Sequence, residues 1–219
     1  MTVGELREYI LADSTSEADL EALQWSIIPE IAAAVTKIMS NKDVVLAAAR
    51  IRNVTRCRNT MGERGVLGIR IQPNHPRDDM GGILLAAFEG LAYGCGDAVI
   101  GVNPATDSAE VVAMTLAGLN RLVEIYKIPT QTCCLAHATT QLAAMKAGAP
   151  IDLLFQSIAG TEAANRSFGI TLELLRDARE QVLDHHGKRD VEWVGKNVMY
   201  FETARVAPFQ LMPTTESIN

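Results

Sequence analysis

Gly96-Asp97-Ala98-Val99-Ile100-Gly101-Val102-Asn103-Pro104-Ala105-Thr106-Asp107 decides how the rest of the chain is read. Its core, Ala98 to Val102, is a short run of small and branched apolar residues. That length and composition predict a strand buried on both faces, as parallel strands in α/β proteins are. The run ends at Asn103-Pro104, where proline cannot continue a ladder and holds the preceding residue extended. Ser108 then opens a long amphipathic segment, so a polar loop joins strand to helix. An amide side chain is thereby presented at the carboxyl end of a buried strand, the end where α/β folds bind ligands.

Working outward, the same unit recurs. Residues 66–72 (VLGIRIQ) read as a strand ending at Pro73-Asn74-His75-Pro76, followed by a helix over 82–88 closed by Gly94. After the strand at 97–103 comes a helix from about 108 to 127, a third strand over 129–137 and a helix over 139–147. A fourth strand spans 151–157 (IDLLFQS); a Gly/Ala/Ser-rich loop leads to a helix at 171–183; a fifth strand spans 197–203 (NVMYFET). Strict alternation predicts right-handed crossovers and a parallel sheet. No Gly-x-Gly-x-x-Gly follows the first strand and no P-loop Gly-Lys-Ser/Thr occurs, so a (β/α)8 barrel is favoured over a nucleotide-binding open sheet. Five strands cannot close such a barrel, and the expected fold is an incomplete one preceded by N-terminal helices. The expected boundaries are 1–62 for a helical region, 63–203 for the partial barrel and 204–219 for an aberrant tail. Residues 1–60 read as helical, with Ser14 to Ser16 supplying an N-cap and Pro29 opening a further helix. Met39, Met114 and Met145 fall at helical core positions.

The 219 residues are 48% hydrophobic and 21% charged, an ordinary globular mix. A net charge of −6 argues against non-specific binding of nucleic acid or anionic membranes. No apolar run is long enough to span a bilayer, and the first residues lack the regions of a signal peptide, so an intracellular protein is expected. The four cysteines follow no metal spacing and read as buried reduced thiols, with a zinc site or a disulfide as the alternatives. Arg50, Arg52, Arg56 and Arg58 form a basic cluster, either a solvated face or a phosphate contact.

Every strand ends in polar side chains: Arg70 and Gln72, Asn103, His137, Gln156 and Ser157, Glu202. In a parallel barrel these ends converge on one mouth. A carboxylate there suits an ammonium group, while Gln72 and Asn103 can orient a hydroxyl or amine. Each residue alone could equally cap a helix, and Arg70 with Glu202 could form a plain ion pair; His137 reads as a hydrogen-bonded supporting residue. No Ser-His-Asp arrangement, HExxH or paired-cysteine motif is present, which leaves hydrolytic and zinc chemistry without support and no metal site expected.

On these residues the chain resembles the large, catalytic subunit of ethanolamine ammonia-lyase. The matching stretches are Arg70-Ile71-Gln72-Pro73-Asn74, Gly96 to Pro104, Ile128-Pro129-Thr130-Gln131, Leu135-Ala136-His137, Phe155-Gln156-Ser157-Ile158 and Tyr200-Phe201-Glu202-Thr203. The likeness runs from about Glu5 to Thr203 in order and spacing. It implies a (β/α)8 barrel with adenosylcobalamin over its mouth, and conversion of ethanolamine to acetaldehyde and ammonia by radical amino migration. Arg70 and Glu202 look like its catalytic residues. Arg70, Gln72, Asn103, Ser157, Phe168 and Glu202 look like the substrate pocket; Pro104 and Gln156 look like cobalamin contacts. The resemblance further implies a small-subunit partner, homo- and hetero-oligomers, and a cytoplasmic location within a bacterial microcompartment. Family members are roughly twice as long, so this chain is expected to lack most of an N-terminal domain and everything after the fifth strand, and to have little or no turnover alone.

After Thr203 the resemblance stops. One codon choice for Pro208 to Asn219, read two bases out of frame, gives Leu-Ser-Ala-Asp-Ala-His-His-Gly-Val-Asp-Gln, close to the family's continuation. A frameshifted tail is therefore expected. Two other classes compete: a catalytically dead assembly partner of the full-length enzyme, and an unrelated α/β enzyme for a small polar metabolite.

Overall fold

The computed structural model describes residues 1–203. The chain divides into two compact units, residues 1–54 with 62–66, and residues 55–61 with everything from 67 onward.

The first unit is helical because its polar breaks carry start signals. Helices α1 (Val3–Leu11), α2 (Glu17–Leu23) and α4 (Asn41–Arg50) each begin at a Ser or Thr N-cap with an acidic residue three places on, and all three make the reciprocal capping box. Helix α3 (Pro29–Lys37) instead starts on proline, whose missing N–H is not needed in a first turn. Arg50 donates to the carbonyls of Ile10 and Ala12, and Arg52 pairs with Glu17, so these two arginines serve internal structure.

The second unit opens with a short antiparallel pair, β1 (Thr55–Arg56) and β2 (Thr60–Met61), where the sequence reads as helix. The correction has a physical cause. Strands of two residues in a polar, arginine-rich segment carry no alternating pattern, and this pair is held by distant backbone: Asn197 donates to the Arg56 carbonyl at 2.8 Å, and Val194 to the Cys57 carbonyl at 2.8 Å.

The barrel elements follow in order: β3 (Arg70–Ile71), α5 (Met80–Ala92), β4 (Val99–Val102), α6 (Ala109–Tyr126), β5 (Thr132–Cys134), α7 (Ala138–Lys146), β6 (Leu153–Ile158), α8 (Glu162–Ser167), α9 (Leu172–His186) and β7 (Met199–Thr203). The five strands pair in sequence order, all parallel, so the fold is an incomplete (β/α)8 barrel, as the alternation predicts. Two details differ. β3 is shorter than expected because Val66 and Leu67 lie exposed outside the ladder. The loop after β6 contains α8, capped by Thr161, whose hydroxyl accepts from the Ala164 N–H.

Register assigns each strand residue to a face, since paired residues in a parallel ladder point the same way and neighbours point oppositely. Ile100 and Val102 pack outward with Ile83 and Ala87 of α5 and Leu119, Leu122 and Val123 of α6. The pairs Arg70–Val99, Gly101–Cys133, Cys133–Leu153, Phe155–Tyr200 and Ser157–Glu202 therefore form the inner face. A second cluster on Leu116, Leu142, Leu154, Ala178 and Val182 covers the outside of the later strands. Met145 packs against that cluster, Met39 is half-buried, and Met114, expected in the core, is exposed instead.

Candidate functional site

The inner face carries the site. Arg70, first residue of β3, reaches across the lumen from one edge of the sheet to the other: its guanidinium carbon lies 5.7 Å from the centre of the Tyr200 ring on β7. Tyr200 in turn meets Phe155 edge to face at 5.6 Å. Arg70 Nε and Nη2 are buried with no hydrogen-bond partner. No ion pair joins Arg70 to Glu202 among the described residues, which removes the plain salt-bridge reading of the two. A charged donor held out of water without an acceptor is costly, about 1–3 kcal/mol or more, and the cost is recovered when a ligand oxygen takes the hydrogens.

At the carboxyl ends, Ser157 and Glu202 are register partners on that same face, half-buried and exposed respectively. Gln72 is exposed just past β3 and Asn103 just past β4, with Pro104 half-buried beside it. The loops holding these two are locked to each other by residues the sequence reading did not single out as functional. The Asn74 side-chain oxygen accepts from the Asn103 N–H at 2.8 Å. Asp78, buried and at a left-handed φ of 52°, accepts from the Ala105 and Thr106 N–H groups at 2.7 and 2.8 Å. An Asp tolerates that backbone better than most residues, and the hint in the sequence was Asp78-Asp79 directly behind a Pro-rich turn. Asp78→Ala is expected to destabilise by about 2–3 kcal/mol through two lost charge-assisted bonds, with Asp78→Asn losing less. Urea unfolding of the two variants measures this; equal, negligible losses would show that the loops are held by something else.

Gln156 lies on the other face of β6, buried. Its Oε1 accepts from the Ala138 N–H at 2.8 Å and its Nε2 donates to the Ser157 carbonyl at 2.9 Å, so its amide ties the start of α7 to the strand end. His137 caps α7 and links by its ring nitrogens to the Thr139 hydroxyl at 2.7 Å and the Phe168 carbonyl at 3.1 Å. This is the supporting position expected of it, and it fixes the end of α8 where exposed Phe168 sits. Structure thus gathers Arg70, Ser157 and Glu202 on one face, places Gln72, Asn103 and Pro104 on adjoining loops, and leaves Gln156 turned toward the helices.

Three of the four thiols are buried in surroundings that hold them protonated. Burial pushes Cys57 and Cys134 up to about 12, and raises Cys133, on the inner face, well above the ordinary thiol range. They remain protonated, and a protonated thiol is a poor nucleophile and ligand. All four cysteines are unpaired, and no three His, Cys, Asp or Glu side chains gather to hold a metal among the described residues.

The opposite, amino end of the barrel is closed by charge. Asp152 is fully buried and accepts from the Thr132 N–H at 2.9 Å, from Arg189 at 2.8 Å and from Arg58 at 3.3 Å. Asn120 adds an acceptor to Arg189 at 2.9 Å. His186, at the end of α9, shares its Nε2 hydrogen between the Ile151 and Asp152 carbonyls at 3.1 and 2.9 Å and stacks on Trp193 at 3.5 Å. Arg58 is thus neither a solvated residue nor a phosphate contact, and the four arginines do not act as one cluster. In barrels of this class the amino end serves stability and the carboxyl end serves chemistry.

Comparison with known proteins decides the family. A family model described as ethanolamine ammonia lyase large subunit (EutB) matches residues 1–210. The chain belongs to the ethanolamine ammonia-lyase large-subunit family. It is 41% identical over 204 residues, 93% of its length, to the ethanolamine ammonia-lyase large subunit of Escherichia coli strain K12. It is 40% identical over the same span to the protein of that name from Salmonella typhimurium. The chain spans 44% of the length of each of these relatives. Membership makes it a member of a lyase family, with the Arg70, Asn103 and Glu202 stretches lying inside the match. The expected frameshift at 204–219 falls outside the described residues. No helix among the described residues is long and apolar enough to cross a membrane.

Proposed function

We propose that the inner face from Arg70 to Glu202 is the substrate side of an ethanolamine ammonia-lyase mouth, acting on ethanolamine with adenosylcobalamin as cofactor and yielding acetaldehyde and ammonia. The observation that carries this reading is the buried, unpartnered Nε and Nη2 of Arg70, on the face that also holds Ser157 and Glu202. A two-carbon amino alcohol answers both ends of that face. Its hydroxyl oxygen accepts from Arg70, and its ammonium meets the Glu202 carboxylate. Gln72, Asn103 and Ser157 supply directional contacts between them, and Phe168 an apolar edge. As reaction proceeds, Arg70 and Glu202 serve as the catalytic pair by stabilising charge that builds at oxygen and nitrogen.

Adenosylcobalamin, when bound, supplies the radical chemistry that abstracts hydrogen. The donor set fits it in part: Pro104 rides on the loop pinned by Asn74 and Asp78, a fixed edge at the mouth, whereas the Gln156 amide is engaged at both ends. Gln156 would support the cofactor by shaping the end of β6. The described strands make five of the eight a closed barrel needs, so turnover by this chain alone is expected to be little or none, and measurable ammonia release would overturn that expectation. The reading extends to the small subunit as partner, to homo- and hetero-oligomers, and to a cytoplasmic bacterial microcompartment. The outer edge of β7, unpaired among the described residues, favours one second reading, a non-catalytic assembly partner of the full-length enzyme, which co-purification would reveal.

Ethanolamine added to the purified chain is expected to raise its melting temperature, and Glu202→Gln to remove most of that shift. An undiminished shift in the variant would place the ammonium elsewhere. Saturable adenosylcobalamin binding, followed by absorbance and weakened by Gln156→Ala, tests the cofactor half.

A further inference from the structure

Arg70 is held by two residues to which no role has been assigned. Gly101, on the neighbouring strand β4, has the Arg70 guanidinium lying against it. A Cβ at Gly101 would sit 2.9 Å from Nε and 3.0 Å from Nη2, and 3.3 Å from a Leu135 methyl, so the guanidinium occupies the space a side chain would fill. On the far side of the lumen the Tyr200 ring presents its face to the same guanidinium at 5.7 Å. Tyr200 is itself fixed by Phe155, edge to face, and by a full ladder between β6 and β7.

We propose that Gly101 and Tyr200 are positioning residues that fix the Arg70 guanidinium in the lumen. The absent Cβ of Gly101 sets its depth, and the ring of Tyr200 sets its tilt. A long arginine has three or more free torsions, and an unheld one would average over many placements of its donors. Here the guanidinium is wedged between a backbone surface and an aromatic face, a setting that suits the planar, weakly hydrated arginine head better than a strongly hydrated ammonium. The phenol hydroxyl has no part in this, so phenylalanine should replace Tyr200 and leucine should not. Any residue larger than glycine at 101 must displace the guanidinium or the backbone. As far as substrate is concerned, the inference rests on the reading of Arg70 as the group that meets the ethanolamine hydroxyl.

The test is arginine side-chain NMR on the whole chain, with the Arg70 Nε–Hε signal assigned by its loss in Arg70→Lys. In the parent protein the Hε resonance should carry a ring-current displacement. Tyr200→Phe should preserve it, Tyr200→Leu should return it to the ordinary arginine position, and Gly101→Ala should move it. Circular dichroism checks that each variant is folded; Tyr200→Phe, which keeps the packing, remains informative if the leucine variant is not. An Hε signal at the ordinary arginine position in the parent, or one unmoved by both Tyr200→Leu and Gly101→Ala, overturns the proposal. Ethanolamine is then added to the parent. A further shift of the Arg70 signal that is lost in Tyr200→Leu extends the positioning to substrate. No shift, with the variant pattern intact, leaves the positioning standing and counts against the ethanolamine reading alone.

Discussion

Asp152→Ala is expected to cost the barrel unit roughly 3–5 kcal/mol, the range for breaking a buried ion pair from one side. The carboxylate is fully buried, and Arg58 and Arg189 are 15% and 12% exposed at the side chain. Its removal leaves two guanidiniums with no carboxylate, holding only the Asn120 Oδ1 and the Ile151 carbonyl, and also removes the acceptor for the Thr132 N–H and hydroxyl at 2.9 and 3.2 Å. For a chain of this size such a loss corresponds to a fall in melting temperature of about 10 °C or more. Asp152→Asn keeps one acceptor for Thr132 and should lose less, while still breaking the pairing. Thermal melts of both variants decide it. A change of less than about 1 kcal/mol for the alanine variant would mean that water reaches the two arginines and that the network contributes little.

Acid should loosen the same end of the molecule. Burial, with Arg189 adding to it, depresses His186 to about 4, against the pull of Asp152 and of the Ile151 and Asp152 carbonyls that accept its hydrogen. In the unfolded chain the ring titrates near 6.5. Between those values the unfolded state binds more protons than the folded one, so stability rises with pH across the window and is lost as pH falls from about 6.5 toward 4. The full loss is about 3 kcal/mol at most. His185, lowered in the same direction by burial and by Arg189, adds to it. Urea midpoints at pH 7.5 and pH 5 should differ, and His186→Gln should flatten the difference. An equal drop in the variant would assign the acid response to other groups.

What could be read in advance divides along physical lines. Most of the five strands were legible as short apolar runs, the clearest of them stopped by Asn-Pro directly after Val99–Val102. The β1–β2 pair was not, since its stability comes from Asn197 and Val194, more than a hundred residues away, and not from its own composition. Helix α8 hid in a Gly/Ala/Ser-rich stretch whose only cue was the Thr161 cap. At the site, strand ends flagged Arg70, Asn103 and Glu202 but grouped Gln156 with Ser157, which the strand turns to opposite faces. What alternation cannot supply is a contact across the lumen: that Arg70 lies on Tyr200 depends on how far the sheet curls. Asp152 was also invisible, being one carboxylate in an apolar run whose partners sit on a distant helix end and hairpin.

The β1–β2 hairpin has a bearing on how the chain comes off the ribosome. Residues 55–61 leave the first unit, join the second, and hand the chain back at 62–66. Their seat is built from Gln131, Asp152 and Asn197; the Arg56–Asn197 bond alone spans 141 positions. A nascent chain therefore carries an unseated hairpin until Gln131, Asp152 and Asn197 have all been made. Contacts this distant in sequence slow folding, so the late step to look for in refolding is hairpin docking, reported by Trp193 next to His186.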